Sequence, residues 1–278
     1  MYAFLRFPGF RKKALTLSYD DGTVYDKRMV EILDKYGIKC TFNLNSGLMG
    51  RDRRLSDEEC LNLFSNSVHE VALHGKEHMS FDDVNTAFAM RDVVEDRRGL
   101  EALFGKIING MAYAFGDYND AAVNMLRSAG VLYSRTTVQT ERFDMPTDML
   151  RWPSTCHHRN PRLFELVDKF LDNTPPRHMW ADEPRLFYLF GHSYEFNDWN
   201  NWELLEQFCE KMGGRDEIWY APNMEIYEYK QAYDSLIFSY DGRIVKNPSS
   251  IDVYTNLYGK KIMIPAGECV ALPEDCKF

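Results

Sequence analysis

The sequence lacks long apolar segments, and no run approaches the ~20 residues that a membrane-spanning helix requires. The N-terminal residues 1–17 also lack the apolar centre of about 7–15 residues that defines a secretory signal. From these two absences we expect a cytoplasmic protein without a membrane partner.

Basic residues are in the minority, since 33 Lys and Arg stand against 42 Asp and Glu and give a formal net charge of −9 at pH 7. The two basic clusters, 11–13 and 51–54, are too short to form the positive face of a nucleic-acid-binding protein. Paired cysteine motifs are absent as well, because six cysteines are scattered along the chain without a CxxC pair. We therefore expect no nucleic-acid partner, and thiols that are reduced and mostly buried.

What the sequence does contain is typical of a globular protein. Of its 278 residues 45% are hydrophobic, which is enough for a sizeable core. Short apolar runs typical of strands alternate with longer amphipathic segments typical of helices. The strand candidates are 14–20, 39–45, 69–73, 111–115, 132–137, 150–154 and 186–191, and the helix candidates are 24–36, 56–66, 81–104, 120–129, 161–171 and 202–212.

This alternation predicts an α/β fold with parallel strands joined by right-handed crossovers. About seven such units favour a distorted (β/α) barrel over an open sheet. The pattern changes after residue 235, where short strand candidates are separated by Asp-Gly, Asn-Pro and Tyr-Gly turns. We expect residues 1–235 to form the barrel and residues 236–278 to form a small antiparallel β appendage of the same domain.

Chemically capable residues follow several of the strand candidates, where a (β/α) barrel collects its functional groups. Asp20 and Asp21 end the first strand candidate, His74 follows the third and His192 follows the seventh. Two histidines with one carboxylate leave coordination positions open, as a catalytic metal requires. The His74–His78 pair alone is more typical of histidines without a metal, and DDG is common in turns. The combination predicts a metal site at this end of the barrel.

Four segments resemble the motifs of the polysaccharide deacetylases, also called carbohydrate esterase family four. Residues 18–22, SYDDG, resemble the family's TFDDG, and residues 74–78, HGKEH, resemble H-(S/T)-x-x-H. Residues 113–116, YAFG, are similar to the end of RxPYG, and His192 is similar to the histidine of the final motif. The resemblance extends from residue 14 to about residue 200 and leaves the appendage uncovered.

The resemblance implies a role for each matching residue. The metal ligands would be Asp21, His74 and His78. Asp20 would act as general base and His192 as general acid, and the backbone N–H of Phe115 would stabilise the oxyanion.

The two adjacent carboxylates need a local explanation. Neighbouring side chains on a strand point to opposite faces, so Asp20 and Asp21 reach one site only if the strand ends there, and Gly22 permits a tight turn. The same adjacency argues against a glycosidase, whose two carboxyl groups stand about 5 Å or more apart and usually come from different elements.

The sequence departs from the family pattern at three places, of which one is the fourth motif, an Asp–Trp pattern that is not found cleanly. The arginine of the third motif would align near Ala112 and is therefore missing. Arg135, at the end of the fifth strand candidate, is either its replacement or a salt-bridged surface residue. Gly75 stands where the family has Ser or Thr, which removes a side-chain hydrogen bond.

Further residues are candidates for contact with a substrate. Trp152 and the 157–158 histidine pair are candidates for lining the cleft, although exposed loop histidines are the alternative for the pair. The Tyr194 ring is suited to stacking on a sugar, and Glu195 to a hydrogen bond with a sugar hydroxyl. The tryptophans at 199 and 202 have helical spacing, which is more typical of a core.

Together these features predict a metal-dependent hydrolase that removes N- or O-acetyl groups from a carbohydrate. Zinc suits the nitrogen and oxygen ligands best, and cobalt, nickel or iron also fit them. Two alternatives remain open. One is a carbohydrate-binding relic with little activity, motivated by the missing arginine, and the other is an iron enzyme with a two-His-one-carboxylate site.

Overall fold

The computed structural model describes residues 3–175, 177–178 and 182–273. Its strands are β1 (Ala3–Arg6), β2 (Lys13–Asp20), β3 (Thr41–Leu44), β4 (Glu70–Leu73), β5 (Gly110–Ala112), β6 (Tyr133–Gln139), β7 (Trp152–Ser154), β8 (Cys156–His157), β9 (Arg185–His192), β10 (Ile218–Tyr220), β11 (Ile237–Phe238), β12 (Ile244–Lys246), β13 (Val253–Leu257), β14 (Lys260–Ile264) and β15 (Cys269–Ala271). Its helices are α1 (Asp26–Lys35), α2 (Asp57–Phe64), α3 (Thr86–Phe104), α4 (Asp120–Ser128), α5 (Leu163–Leu171), α6 (Ser193–Asp198), α7 (Trp202–Met212) and α8 (Asn223–Asp234).

The central sheet closes into a barrel through a divided strand. Its order is β7-β6-β5-β4-β3-β2-β9-β8, and its pairs are parallel. β7 pairs with β6, while β8, which is separated from β7 by a single residue, pairs with β9. Because β7 and β8 are almost continuous, they occupy one strand position that joins the two edges of the sheet. The predicted barrel of about seven parallel strands is therefore confirmed.

The helices begin and end where local signals place them. α2 begins at a capping box, in which the Ser56 side chain accepts the Glu59 N–H and the Glu59 carboxylate accepts the Ser56 N–H. α3 begins five residues later than predicted, because the side chain of Asn85 accepts the N–H groups of Ala87 and Phe88. β2 is buried along its whole length, as expected of a central parallel strand.

The C-terminal residues form the predicted antiparallel strands, with one addition from the N-terminus. β11, β12 and β15 make one small sheet, and β1 joins β13 and β14 in another. The unpredicted α8 links the second of these sheets to the barrel, since the Tyr229 hydroxyl donates to the Arg6 carbonyl of β1 at 2.6 Å and the Asn223 N–H donates to the Thr41 hydroxyl of β3 at 2.9 Å. The N-terminal strand, which we assigned to the barrel unit, thus pairs with the appendage.

Two expectations from composition can be compared with the structure. Buried free thiols are found at Cys40, Cys60, Cys156 and Cys209, whereas Cys269 is exposed and Cys276 lies outside the described residues. Within the described ranges, no helix combines the length and the apolar character needed to cross a membrane.

Candidate active site

The carboxyl ends of the barrel strands bring the predicted site residues together. Asp20, the last residue of β2, is paired in register with His192, the last residue of β9. His74 directly follows β4, and its backbone N–H donates to the carbonyl of Leu44 at the end of β3. Parallel strands share one carboxyl edge, so residues far apart in the sequence meet there.

A left-handed turn allows Asp20 and Asp21 to face the same site. β2 ends at Asp20, and the next two residues, Asp21 and Gly22, have φ angles of +85° and +60°. A non-glycine residue in this region costs roughly 1–2 kcal/mol, so the surrounding structure must hold Asp21 in place. The backbone N–H of Asp21 donates to Asn43 O at 2.9 Å, and the Arg54 guanidinium donates to the carbonyl of Asp21.

Asp21, His74 and His78 form a donor set that fits a divalent metal. Asp21 Oδ1 lies 3.6 Å from Nε2 of His78 and 3.9 Å from Nε2 of His74. This oxygen is buried, and it accepts no hydrogen bond within the described part of the chain, although it forms an ion pair with the Arg54 guanidinium at 3.0 Å. A mixed nitrogen and oxygen set of this kind suits zinc and related cations.

The protonation of the two histidines also fits coordination. Nδ1 of His74 lies 2.9 Å from the carbonyl oxygen of Ala112, which can only accept, so this nitrogen carries the proton and leaves the Nε2 lone pair facing Asp21. Burial, and next the neighbouring His74, lower the pKa of His78 to about 4, so His78 is neutral at neutral pH. A metal requires neutral imidazoles.

Asp20 is held as a buried anion by Arg135. The Arg135 guanidinium donates to Asp20 Oδ2, and Asn43 Nδ2 donates to Oδ1 at 2.8 Å. Burial alone would raise the pKa of Asp20, but the charge of Arg135 and the nearby His74 and His192 outweigh it and hold the pKa at about 2. Arg135 is 0% exposed, so of the two interpretations we considered, that of a surface arginine is wrong.

His192 lies between the two aspartates and Glu195. Its Nε2 is 3.9 Å from Asp20 Oδ2 and 4.0 Å from Asp21 Oδ2, and its Nδ1 is 3.3 Å from Glu195 Oε2. Burial would lower the pKa of His192, but the hydrogen bond to Glu195 and the charges of Asp20 and Asp21 raise it above its ordinary value. Glu195 therefore contacts His192 from the side opposite the aspartates.

The Glu195 carboxylate also lies within hydrogen-bonding distance of His157 and His158. This hydrogen-bond network does not suit a second metal. Nδ1 of His157 accepts the backbone N–H of Arg159 at 3.1 Å, so the neutral ring carries its proton on Nε2, which lies 3.2 Å from Glu195 Oε2. His158 Nε2 lies 3.3 Å from the same oxygen, and the Tyr19 hydroxyl is 3.2 Å from His158 Nδ1. Nε2 of His157, which faces Glu195, is thus a donor and not a free lone pair. These contacts hold the pKa of Glu195 well below its usual range, although burial opposes them.

Aromatic side chains surround the opening of the site. Phe115 is 64% exposed, and its ring centroid is 4.5 Å from that of His78. The Tyr194 ring lies 5.0 Å from the His192 ring on the other side. Trp199 is 59% exposed and stacks under the Arg159 guanidinium at 3.9 Å, so the expectation that it belongs to the core is wrong.

Two other tryptophans lie in the interior. Trp202 is buried at the start of α7, as its spacing predicted. Trp152 is only 1% exposed and packs edge-on against Tyr133 and Tyr188. Our placement of Trp152 at the cleft is therefore wrong, because β7 turns this side chain into a second hydrophobic cluster.

Two residues that contact the aspartates, Asn43 and Arg54, were not predicted from the sequence. Asn43 donates to Asp20, and a signal existed for it, since a polar residue inside a buried strand must find hydrogen-bond partners. Arg54 lies 3.0 Å from Asp21 Oδ1. It stands in a short basic cluster of the sequence, where nothing distinguishes it from a solvated charge.

The chain is similar to known proteins in sequence over part of its length and in structure over most of it. Residues 8–134 match the family model described as polysaccharide deacetylase. The crystal structure of a Mycobacterium smegmatis protein described as a polysaccharide deacetylase is similar with a TM-score of 0.62 and 16% identity, covering 84% of this chain and 94% of the other. The crystal structure of Puue allantoinase is similar with a TM-score of 0.63 and 14% identity, covering 82% and 93%. No curated protein matches the chain in sequence.

Proposed function

We propose that this chain, whose residues 8–134 match the polysaccharide deacetylase family model, is a metal-dependent hydrolase that removes an acetyl group from a carbohydrate. Family and fold support carbohydrate deacetylation in general. The observation that supports the metal-dependent mechanism is the meeting of three groups at one end of the barrel. They are a two-His-one-Asp ligand set, an arginine-paired aspartate, and a histidine backed by a carboxylate.

The metal would be held by Asp21, His74 and His78, and zinc is the ion that this donor set favours. When bound there, the ion would lower the pKa of a water molecule and polarise the acetyl carbonyl. Cobalt, nickel or iron would satisfy the same ligands.

Asp20 is the proposed general base. Its pairing with Arg135 keeps it ionised. Its Oδ2 lies 3.9 Å from Nε2 of His74, one of the proposed metal ligands. In this position it can accept the proton of the attacking water. When water adds to the acetyl carbon, the oxyanion that forms on the former carbonyl oxygen would receive a hydrogen bond from the backbone N–H of Phe115.

His192 is the proposed general acid. Its raised pKa favours the protonated imidazolium, and Glu195 holds Nδ1 so that Nε2 faces the aspartates. A proton on Nε2 is therefore directed at the leaving nitrogen or oxygen of the sugar. Acetate and a free amine or hydroxyl are the products.

The paired base and the supported acid favour a hydrolase over a carbohydrate-binding relic, because binding alone requires neither. The identity of the acetylated substrate does not follow from the fold, since the two similar structures carry the names of different activities. The aromatic rim formed by Phe115 and Tyr194 is consistent with a sugar ring as the bound group.

The test measures acetate release from a panel of N-acetylated and O-acetylated oligosaccharides. We expect release from at least one substrate, loss of release after treatment with a chelator, and recovery on addition of zinc. Allantoin is included as a competing substrate. Consumption of allantoin without acetate release from any sugar would contradict the proposed substrate class, and no turnover at all would favour the relic.

A further inference from the structure

Helix α3 carries two buried carboxylates, Asp92 and Asp96, that have no part in the proposed chemistry. They are four residues apart and therefore lie on one face of the helix. Asp92 is 3% exposed and Asp96 is 0% exposed. Buried carboxylates need hydrogen-bond donors to offset the loss of hydration, and these two obtain them from the backbone of the segments around the candidate metal ligands.

Asp96 ties the first histidine ligand to the neighbouring loop. Its Oδ1 accepts the backbone N–H of Ser46 at 2.7 Å, and its Oδ2 shares the backbone N–H of His74, at 3.1 Å, with the Leu44 carbonyl. One carboxylate therefore fixes the chain after β3 relative to the chain after β4.

Asp92 acts on the segment between the two histidine ligands. Its Oδ1 accepts the backbone N–H of Glu77 at 2.8 Å. The segment contains two left-handed residues, Gly75 with φ +80° and His78 with φ +57°. A non-glycine residue in this conformation persists only where its surroundings hold it, and the hydrogen bond at Glu77 lies directly before His78.

Asp92 also occupies the space beside Gly75. A Cβ atom at position 75 would lie 2.4 Å from Asp92 Oδ2, a distance that two such atoms do not adopt. This oxygen is buried and has no hydrogen-bond partner among the described residues. The resembling family motif has Ser or Thr at this position, so the carboxylate of α3 stands where a side chain of the loop would otherwise be.

We propose that Asp92, supported by Asp96, is a positioning residue that fixes residues 74–78 for metal binding and takes the place of the missing side chain at Gly75. The inference rests on the proposed function, because it concerns the same metal site. It assigns the support of the loop to a helix outside the family motifs.

The first test measures the zinc dissociation constant by competition with a chromogenic chelator. Loss of a hydrogen bond that supports a ligand typically costs about 10–100-fold in metal affinity, and we expect Asp92→Ala to fall in this range. Asp92→Asn keeps an acceptor for the Glu77 N–H and should stay within about threefold of wild type. Leu100→Ala, a buried position farther along α3, should lower the melting temperature without changing the dissociation constant.

A second readout needs no metal. Amide hydrogen exchange of the metal-free protein should show faster exchange at Glu77 in Asp92→Ala than in wild type or Leu100→Ala. If wild type binds no zinc but Asp92→Ala still accelerates this exchange, the proposed function fails and the support of the loop stands. If exchange at Glu77 and zinc affinity are both unchanged in Asp92→Ala, the inference is overturned.

The contact between positions 75 and 92 is tested by a double-mutant cycle. Gly75→Ala should weaken zinc binding more in the wild-type background than in Asp92→Ala, because only the former has the clash with Oδ2, whereas the backbone strain is common to both. Equal effects of Gly75→Ala in the two backgrounds would show that Asp92 does not occupy this space.

Discussion

Arg135 on β6 is paired in register with Ala112 on β5. Ala112 is the position near which the arginine of the family's third motif would align, so the guanidinium enters the site from the next strand of the barrel. It still reaches the base, since Arg135 donates to Asp20 Oδ2 and rests on the Phe190 ring with Cζ 4.8 Å from the ring centroid. An arginine on the neighbouring strand thus makes the contact with Asp20 that the missing motif arginine would make.

Replacement of Arg135 should reveal how burial raises the pKa of Asp20 when no guanidinium charge opposes it. In Arg135→Gln the pKa of Asp20 should rise, because burial is no longer opposed by the guanidinium charge. Activity should then fall on the acidic side of the pH profile, at a pH where wild type retains its full rate. Removal of one partner of a buried ion pair should also cost about 3–5 kcal/mol in the free energy of unfolding.

The matched control for this variant is Arg98→Gln, an arginine whose side chain is 73% exposed on α3. It should change neither the pH profile nor, beyond a few tenths of a kcal/mol, the stability. A pH–rate profile of Arg135→Gln that coincides with wild type would show that Arg135 does not govern the ionisation of Asp20.

Glu195 should determine the pH at which activity is lost on the alkaline side of the pH–rate profile. Its hydrogen bond and charge help to raise the pKa of His192, so in Glu195→Gln that pKa should fall. A general acid must be protonated, and activity should therefore be lost at lower pH than in wild type. The measurement is kcat/KM against pH for both proteins, and an unshifted alkaline limb would remove Glu195 from this role.

Asp26 should make stability depend on pH. It is fully buried at the start of α1, its Oδ1 accepts the Ser193 hydroxyl, and burial raises its pKa from 3.8 to about 8. The folded protein therefore keeps a proton that the unfolded chain releases above pH 3.8, so this stabilising contribution is lost progressively as the pH rises towards 8.

The variant Asp26→Asn removes this titration. Between pH 5 and pH 7, wild type should lose stability relative to Asp26→Asn by up to about 1.4 kcal/mol per pH unit. Urea unfolding of the chelator-treated proteins measures the difference. Parallel pH dependence in the two proteins would mean that Asp26 is ionised in the folded state.

Substitutions at Phe115 can separate the contribution of its side chain from that of its backbone N–H. Its φ of +59° is strained for any side chain, so Phe115→Gly should be more stable than Phe115→Ala by roughly 1 kcal/mol. Both variants remove the exposed ring, and both should raise KM for the sugar with little change in kcat, because the backbone N–H is retained. A large loss of kcat in both would show that the ring itself takes part in the reaction.

Local patterns were sufficient to predict the barrel. The strand that ends at Asp20, the strand before His74 and the strand that ends at His192 each combine an apolar run with a polar end, and the structure has all three. β1 could not be predicted, since its partner β13 lies some 250 residues away in the sequence. α8 was missed because its tyrosines are equally typical of strands.

The site was less predictable than the fold. The motif residues are adjacent in short segments, but Arg135, Arg54 and Asp92 reach the site from elements whose packing no spacing rule describes. Trp152 was wrongly placed in the site for a related reason. Its position near a motif does not reveal on which face of the strand its side chain lies. One-residue shifts of register decide between cleft and core.

The central claim is that Asp21 binds the metal while its neighbour Asp20 performs the chemistry. The most direct measurement is the zinc content and the acetate release of wild type, Asp21→Ala and Asp20→Asn side by side. We expect wild type to hold about one zinc per chain, as one three-ligand site implies. Asp21→Ala should lose it, and Asp20→Asn should keep it but release no acetate. A wild-type protein without bound metal, or an Asp20→Asn variant that is fully active, would contradict the account.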